Sequence, residues 1–303
     1  MPRNVAVVKK LRYEIVDVFT DRPYAGNPLA VVLDADELDS SQMQSIAREF
    51  NLSETTFVLP PSSRATGSPS GDADYRIRIF TASEELPFAG HPSVGTAVTL
   101  ARLGRVKAGD VIQECGVGML PVSIADHVAT LTGGPAEVGR QLDPALVLAA
   151  VGLSDSDFVG PAPRIAGCGI SFYYVSVTPE AVTRAVPDAA ALRALGHQGV
   201  SVFAWDRQRS AAHARVFCEA FGVTEDPATG SAALGLGVWL VASGLADADG
   251  TTGYLVRQGV ELHRPATLEC TVTAAGGTVS RTTVAGGVVP VASGEIAVPP
   301  FFG

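Results

Sequence analysis

Glu225-Asp226-Pro227-Ala228-Thr229-Gly230-Ser231 runs directly into the apolar stretch Ala232 to Ala242. An earlier loop of the same make, Glu85-Leu86-Pro87-Phe88-Ala89-Gly90-His91-Pro92, runs into a small-residue helix pattern from Ser93 to Leu103. Each loop follows a strand-like segment, Tyr75-Arg76-Ile77-Arg78-Ile79-Phe80 in the first case and Ala214-Arg215-Val216-Phe217 in the second. Alternation of polar and apolar residues marks a strand with one wet face, and proline before a helix with glycine after it marks the helix ends, here Gly104 and Gly244. Laid on one another, the segments put Pro92 and Pro227, Gly95 and Gly230, and Ala97 and Ala232 each 135 residues apart. Phe80 and Phe217 are 137 apart, which places a two-residue length change in the loop between. A weaker echo sets Gly26-Asn27-Pro28-Leu29 beside Gly169-Ile170-Ser171-Phe172. The natural reading is a duplicated unit that forms two similar domains. Both helices are small or apolar all round, so each is expected to be wrapped by sheet on every side. The border is expected between Asp126 and Pro135, where Gly133-Gly134-Pro135 interrupts the pattern.

Around this core the chain reads as short strands broken by turn formers. Tyr13 to Thr20 and Leu29 to Leu33 flank a dense turn from Asp21 to Pro28, and Thr55 to Leu59 is β-branched and aromatic. Met43, Ile46, Ala47 and Phe50 recur at helical spacing, with Ser41 and Gln44 as a capping box and Asn51 as the stop. Pro60 to Asp74 is a polar Pro/Ser/Gly loop that is expected to be mobile. With 303 residues, 47% of them hydrophobic, the chain can bury a large core. A net charge of −9 without a basic block, and only 7% aromatic residues, argue against a nucleic-acid partner. The longest apolar run, Ala232 to Ala242, is too short to cross a bilayer, and Val5 to Val8 is too short for a signal-peptide core. No membrane partner is expected, and cytoplasmic residence is the default. Cys115, Cys168, Cys218 and Cys270 form no CxxC pair and no ligand spacing with the histidines, so neither disulfides nor a metal site is expected. Gly116-Val117-Gly118 lacks the third glycine of a dinucleotide fingerprint, so no organic cofactor is expected either.

The two loops carry the candidate chemistry. A loop that enters a helix through Gly90-His91-Pro92 or through Asp226 to Ser231 offers unpaired N–H groups at the positive end of the helix dipole. Two such ends facing each other across a cleft would grip a small carboxylate, although Pro and Gly also simply make efficient helix starts. Glu54, in Asn51-Leu52-Ser53-Glu54-Thr55, stands at a helix-to-strand junction. Among apolar neighbours its pKa would rise and it could take and return a proton; alternatively it is a solvated edge residue. His91 and Asp226 occupy equivalent places at the 135-residue offset, where they could orient a polar substrate, or serve as a loop stabiliser and a helix cap. Ser231 could donate to a carboxylate or cap the turn.

Asp17-Val18-Phe19-Thr20 with Gly26-Asn27-Pro28-Leu29-Ala30-Val31-Val32, Asn51-Leu52-Ser53-Glu54-Thr55, Leu86 to Pro92 and Glu225 to Ser231 together resemble the PhzF family of phenazine-biosynthesis isomerases. The resemblance spans nearly the whole chain. It implies an α+β fold of the diaminopimelate-epimerase type, with two pseudo-symmetric domains, each a curled β-sheet or barrel around a central helix. The expected domains are 1–127, with a returning strand in 288–303, and 128–287. The implied activity is cofactor-independent isomerisation of trans-2,3-dihydro-3-hydroxyanthranilate. Glu54 would be the general acid/base, with His91 and Asp226 as further catalytic residues holding the ring's polar groups, Gly90, Gly230 and Ser231 binding the substrate carboxylate, and Ser53 as a further substrate-binding residue. A homodimer is implied in the same way. Epimerases of this fold place a cysteine in each repeated loop; neither loop here contains one, which disfavours two-thiol racemisation. An isomerase for another small cyclic or unsaturated amino acid, and a non-catalytic small-carboxylate binder, are the other two readings.

Overall fold

Alternating strands and all-apolar helices sort into two barrels, as seen in a computed structural model that describes residues 9–62, 73–196, 199–219 and 222–300. The first half runs β1 (Lys10–Val18), β2 (Asn27–Val32), α1 (Ser40–Phe50), β3 (Glu54–Leu59), β4 (Tyr75–Phe80), β5 (Glu85–Leu86), α2 (Gly90–Arg102), β6 (Gly109–Cys115), β7 (Gly118–Ala125) and β8 (Val128–Thr132). The second half begins with β9 (Ala136–Gln141), α3 (Pro144–Ala150), β10 (Arg164–Cys168), β11 (Ser171–Ser176), α4 (Pro179–Arg184), α5 (Ala189–Leu195) and β12 (Gly199–Asp206). It ends with β13 (Ala211–Cys218), β14 (Val223–Asp226), α6 (Gly230–Ala242), β15 (Gly250–Gln258), β16 (Ala266–Ala275) and β17 (Thr278–Ala297).

The ladder β1-β2-β3-β4-β6-β7-β8 is closed by β17, which pairs with both β8 and β1. The second barrel repeats the scheme as β9-β10-β11-β12-β13-β15-β16-β17. Two strands therefore serve both barrels. β17 pairs with β16 over Thr278–Ala285, meets β8 over Thr283–Gly287, and continues along β1 from Val288 to Ala297. In return, the β8 strand pairs with β7 and crosses through Gly133-Gly134-Pro135 to β9 beside β10. The exchange ties each half's last strand into the other half, so the barrels cannot separate without breaking ladder bonds.

Each barrel is plugged by its helix. Every residue from Gly90 to Leu100 in α2, and from Gly230 to Val241 in α6, is buried, as a helix without a polar face requires. Inside the second barrel Trp239 meets Phe203 edge-on with ring centroids 5.0 Å apart. The remaining helices cover the outside. The α1 helix lays Met43, Ile46 and Ala47 against Phe57 and Phe80, while α3, α4 and α5 cover Val175, Val200 and Val202. The α1 capping box is formed by Asp39 with Gln42 rather than by Ser41 with Gln44, because the N-cap lies two residues earlier and Asp39 accepts from the Gln42 N–H. Asn51 closes that helix in the left-handed conformation, as expected. Of the Pro60 to Asp74 loop, residues 63–72 lie outside the described residues.

The duplication is present, but its register differs from the expected one. Both central helices have 13 residues and begin at Gly90 and Gly230, so equivalent positions in them are 140 apart, not 135. Pro92 lies inside the first turn of α2, whereas Pro227 sits before α6 in its approach; the two prolines are alike in type only. Strand registers agree with the new alignment. Thr55 pairs with Phe80 as Val200 pairs with Phe217, and Ile79 pairs with Leu86 as Val216 pairs with Asp226. His91 is therefore the counterpart of Ser231, and Asp226 that of Leu86. The fainter echo holds: Leu29 pairs with Glu54 as Phe172 pairs with Gly199, which aligns Asn27 with Ile170.

Candidate active site

The N-termini of α2 and α6 point at one another. Their N-cap residues, Ala89 and Thr229, make no side-chain cap, so each helix presents its first amides to the space between the barrels. A Cβ on Gly90 would lie 3.1 Å from both Gly230 Cα and Ser231 N, a separation tighter than side chains normally tolerate. Glycine at both starts is what lets two positive helix ends converge, and that convergence favours an anion.

The cavity at this junction has a volume of about 50 Å³ and is lined by Glu54, Gly90, His91, Asp226, Gly230 and Ser231, among others. Space of that size admits a few waters and no ring, so a cyclic substrate requires this cavity to widen. Leu86, Ile170, Phe172 and Val223 form an apolar wall on the same cavity.

Glu54 is the first residue of β3, set by its parallel pairing with Leu29 in β2. Its side chain is 15% exposed, and Oε2 lies 3.7 Å from His91 Nε2. Oε2 and Nε2 are both buried without a hydrogen-bond partner. Burial pushes the Glu54 carboxyl well above its ordinary range, and the neighbouring Asp226 charge raises it further. Burial also depresses His91 to about 3, so its ring is neutral. Asp226, at the end of β14, is likewise raised by burial, against the opposing hydrogen bonds from Thr229, Asn27 and Ser53. Two buried carboxyls in one cavity disfavour double ionisation, which is the arrangement a proton-shuttling site needs.

The Asp226 carboxylate is held from several sides. Thr229 Oγ1 donates to Oδ2 at 2.6 Å and Asn27 Nδ2 to Oδ1 at 2.8 Å. Gln258 Nε2 donates to the Asp226 carbonyl at 2.7 Å, and its Oε1 accepts from Thr229 N at 3.2 Å. One residue upstream, Glu225 is clamped by buried Arg215 through two bonds of 2.8 and 2.7 Å, and Arg215 also caps the Ala185 carbonyl. Such a frame fixes a carboxylate to within the tolerance that catalysis demands.

Of the expected site residues, Glu54, His91, Asp226, Gly90, Gly230 and Ser231 meet at this cavity, and Ser53 faces the Asp226 carboxylate. Asn27 and Gln258 were not anticipated. The echo of Gly26-Asn27 with Gly169-Ile170 marks Asn27 as a repeat position but not as a site residue; Gln258, the last residue of an alternating strand, carries no signal.

The architecture and the convergent helix ends define a two-barrel protein with a polar cavity between the barrels, and known proteins share this fold. A crystal structure of a Bacillus anthracis phenazine biosynthesis protein of the PhzF family superposes with a TM-score of 0.84 at 26% identity, covering 96% of this chain and 100% of that one. The sequence matches the family of phenazine biosynthesis-like proteins, PhzC-PhzF, over residues 16–294. The trans-2,3-dihydro-3-hydroxyanthranilate isomerase of Pseudomonas aeruginosa is 36% identical over 290 residues, 94% of this chain and 98% of that protein. An uncharacterized isomerase of Mesorhizobium japonicum is 36% identical over 303 residues, with the same coverage. The chain belongs to the PhzC-PhzF family and is a PhzF-like isomerase.

Proposed function

We propose that this isomerase moves a proton between two carbons of a small cyclic amino-carboxylate, with Glu54 as the sole acid/base, and that trans-2,3-dihydro-3-hydroxyanthranilate is its substrate. The observation that carries the reading is the buried, unpartnered Glu54 Oε2 in a cavity formed by two converging helix N-termini. The substrate carboxylate is held by the amides around Gly90, Gly230 and Ser231, and Asp226 with Ser53 takes a cationic or hydroxyl group of the ring. In its ionised form Glu54 accepts the proton of a ring C–H, whose bonding electrons move into the adjacent π system. The resulting carboxylic acid returns that proton to a second carbon on the same face, and Glu54 is ionised again. Neutral His91 donates from Nε2 toward Glu54 or a substrate oxygen. The apolar wall of Leu86, Ile170 and Phe172 keeps water away, so the proton stays in the pair. The expected domains 1–127 with 288–303, and 128–287, supply the two jaws of this cleft, except that β8 (Val128–Thr132), in the second range, closes the first barrel. The resemblance and the default from sequence also support a homodimer, to be checked by sedimentation, and cytoplasmic residence.

The test is conversion of that substrate by the purified protein, followed by absorbance and by mass spectrometry in heavy water, beside Glu54→Gln. Turnover by the native protein and its loss in the variant support the reading. Tight binding without turnover overturns this substrate and favours a different cyclic acid or a binding role.

A further inference from the structure

Asn27 is fully buried at the first position of β2, and its side chain reaches both barrels. Its Nδ2 lies 2.8 Å from Asp226 Oδ1 and 2.9 Å from the Ala228 carbonyl, both on the approach to α6, and 3.2 Å from Nδ1 of His91 in α2. A carbonyl oxygen only accepts, so the atom facing Ala228 is the amide nitrogen, which only donates. An Nδ1–H of His91 would face an amide nitrogen that cannot accept it, so the single proton of the neutral ring sits on Nε2, 3.7 Å from Glu54 Oε2. Three acceptors surround an amide that has two hydrogens, and two of the three belong to the other barrel. Replacing the amide by its counterpart in the second repeat, Ile170, would leave Asp226 Oδ1 without its amide donor and the Ala228 carbonyl and His91 Nδ1 facing hydrocarbon.

Building on the proposed proton transfer, we propose that Asn27 is the positioning residue of this site. Its amide holds the proton of His91 on Nε2, facing the acid/base carboxylate, and by binding Asp226 and the Ala228 carbonyl it makes that alignment a property of the closed pair of barrels. Asn27 touches no reacting atom; it acts through His91 and Asp226. Substitution therefore changes the tautomer of a ring it contacts, which a space-filling role would not do.

The experiment is two-bond ¹⁵N–¹H correlation NMR of the imidazoles at neutral pH in the intact protein, with His91 assigned by the loss of its signals in His91→Gln. The expected wild-type pattern is a bare Nδ1 and a protonated Nε2; a proton on Nδ1 overturns the proposal without recourse to any variant. In Asn27→Asp, an oxygen replaces the donor, and Nδ1 is expected to gain a proton. In Asn27→Leu, of similar branched shape, the ring is expected to lose its single tautomer. An unchanged His91 pattern in both folded variants also overturns the proposal. With substrate, Asn27→Leu is expected to lower kcat by about 100-fold while KM moves by less than about tenfold, because the aim of the donor is lost rather than the pocket. The NMR measurement needs no substrate, so absence of turnover in the wild type counts against the proposed reaction and leaves the tautomer result standing on its own.

Discussion

The first barrel opens β2 on Asn27 and β3 on Glu54; the equivalent positions in the second are Ile170, just before β11, and Gly199, which opens β12. Where the approach to α2 carries Leu86 and then His91, the approach to α6 carries Asp226 and then Ser231. Three of these pairs carry one polar side chain each, His91 and Ser231 are both polar, and at the helix starts Gly90 faces Gly230. On the proposed reading, the symmetric element would bind an anion, which needs two converging dipoles, and the asymmetric element would be the proton-transfer group, which is single. A Cβ at Gly199 would lie 2.9 Å from the Phe172 ring and 3.0 Å from the Phe217 carbonyl, so the second barrel has no room for a counterpart to Glu54. Inverting a carbon centre calls for groups on both faces, whereas one carboxyl on one face takes a proton and returns it on that face. The difference between equivalent positions therefore separates this site from a two-base racemase more clearly than the shared backbone does.

The largest effect is expected where that asymmetry is removed. Glu54→Gln keeps the size of the side chain and abolishes its proton exchange, and turnover should fall by about 10² to 10⁴-fold with the fold intact by circular dichroism. Retention of more than a tenth of the activity would move the acid/base role to Asp226. Disturbing the symmetric element should have a smaller and different outcome. Gly90→Ala drives a methyl against Gly230 Cα and Ser231 N at 3.1 Å, and neither neighbour is a flexible side chain. Separation of the helix ends is expected to destabilise the protein by about 1–3 kcal/mol in denaturant titration and to weaken binding of substrate carboxylates. Wild-type affinity in Gly90→Ala would show that the converging amides do not hold the anion.

The buried carboxyls also set a pH dependence whose sign can be worked out. Glu54 and Asp226 are raised by burial in the folded protein above the ordinary values of 4.5 and 3.8 that they have in the unfolded chain. As pH climbs through the window between those values and the raised ones, the unfolded chain has released protons that the folded protein still holds. Stability contributed by these groups is therefore full at acid pH and is lost as pH rises through the folded values. Glu54→Gln removes one of them, so the variant should match the wild type near pH 4 and exceed it near pH 8 in the difference of unfolding free energies. The opposite slope would mean that the site stabilises an ionised Glu54, and the description of it as an unpaired, strained acid would fail.

How much of this was legible depends on where the partners lie. The contiguous loops from Glu85 to Pro92 and from Glu225 to Ser231 could be read because a helix start concentrates its signals within a few residues. The barrels followed from two helices with no polar face. The register of the repeat was misread because it was aligned on Pro92 and Pro227, which do different jobs. Gly104 and Gly244, which end both helices in the left-handed conformation, are 140 apart and gave the true offset. Asn27 was illegible as a site residue for another reason: its partners His91 and Asp226 are 64 and 199 residues away, and only the closed barrels bring them together. Gln258 is hidden in the same way, since its side chain serves a loop that its own strand never adjoins in sequence.

The smallest expected effect tests whether the two halves are equal away from the cleft. Gly104 and Gly244 have φ of +68° and +69°, and nothing lies within 4 Å of a Cβ added at either. The bond that follows each is also the same: Arg105 N donates to the Leu100 carbonyl and Leu245 N to the Leu240 carbonyl, both at 2.9 Å. Gly104→Ala and Gly244→Ala therefore differ from wild type only in backbone preference, which for a left-handed position is about 1 kcal/mol each. Equal shifts of the urea midpoint would show that duplication left the scaffold energetically even and confined the divergence to the residues facing the cavity. A shift at one site alone would mean that one barrel unfolds on its own, which the exchange of β8 and β17 between the barrels argues against.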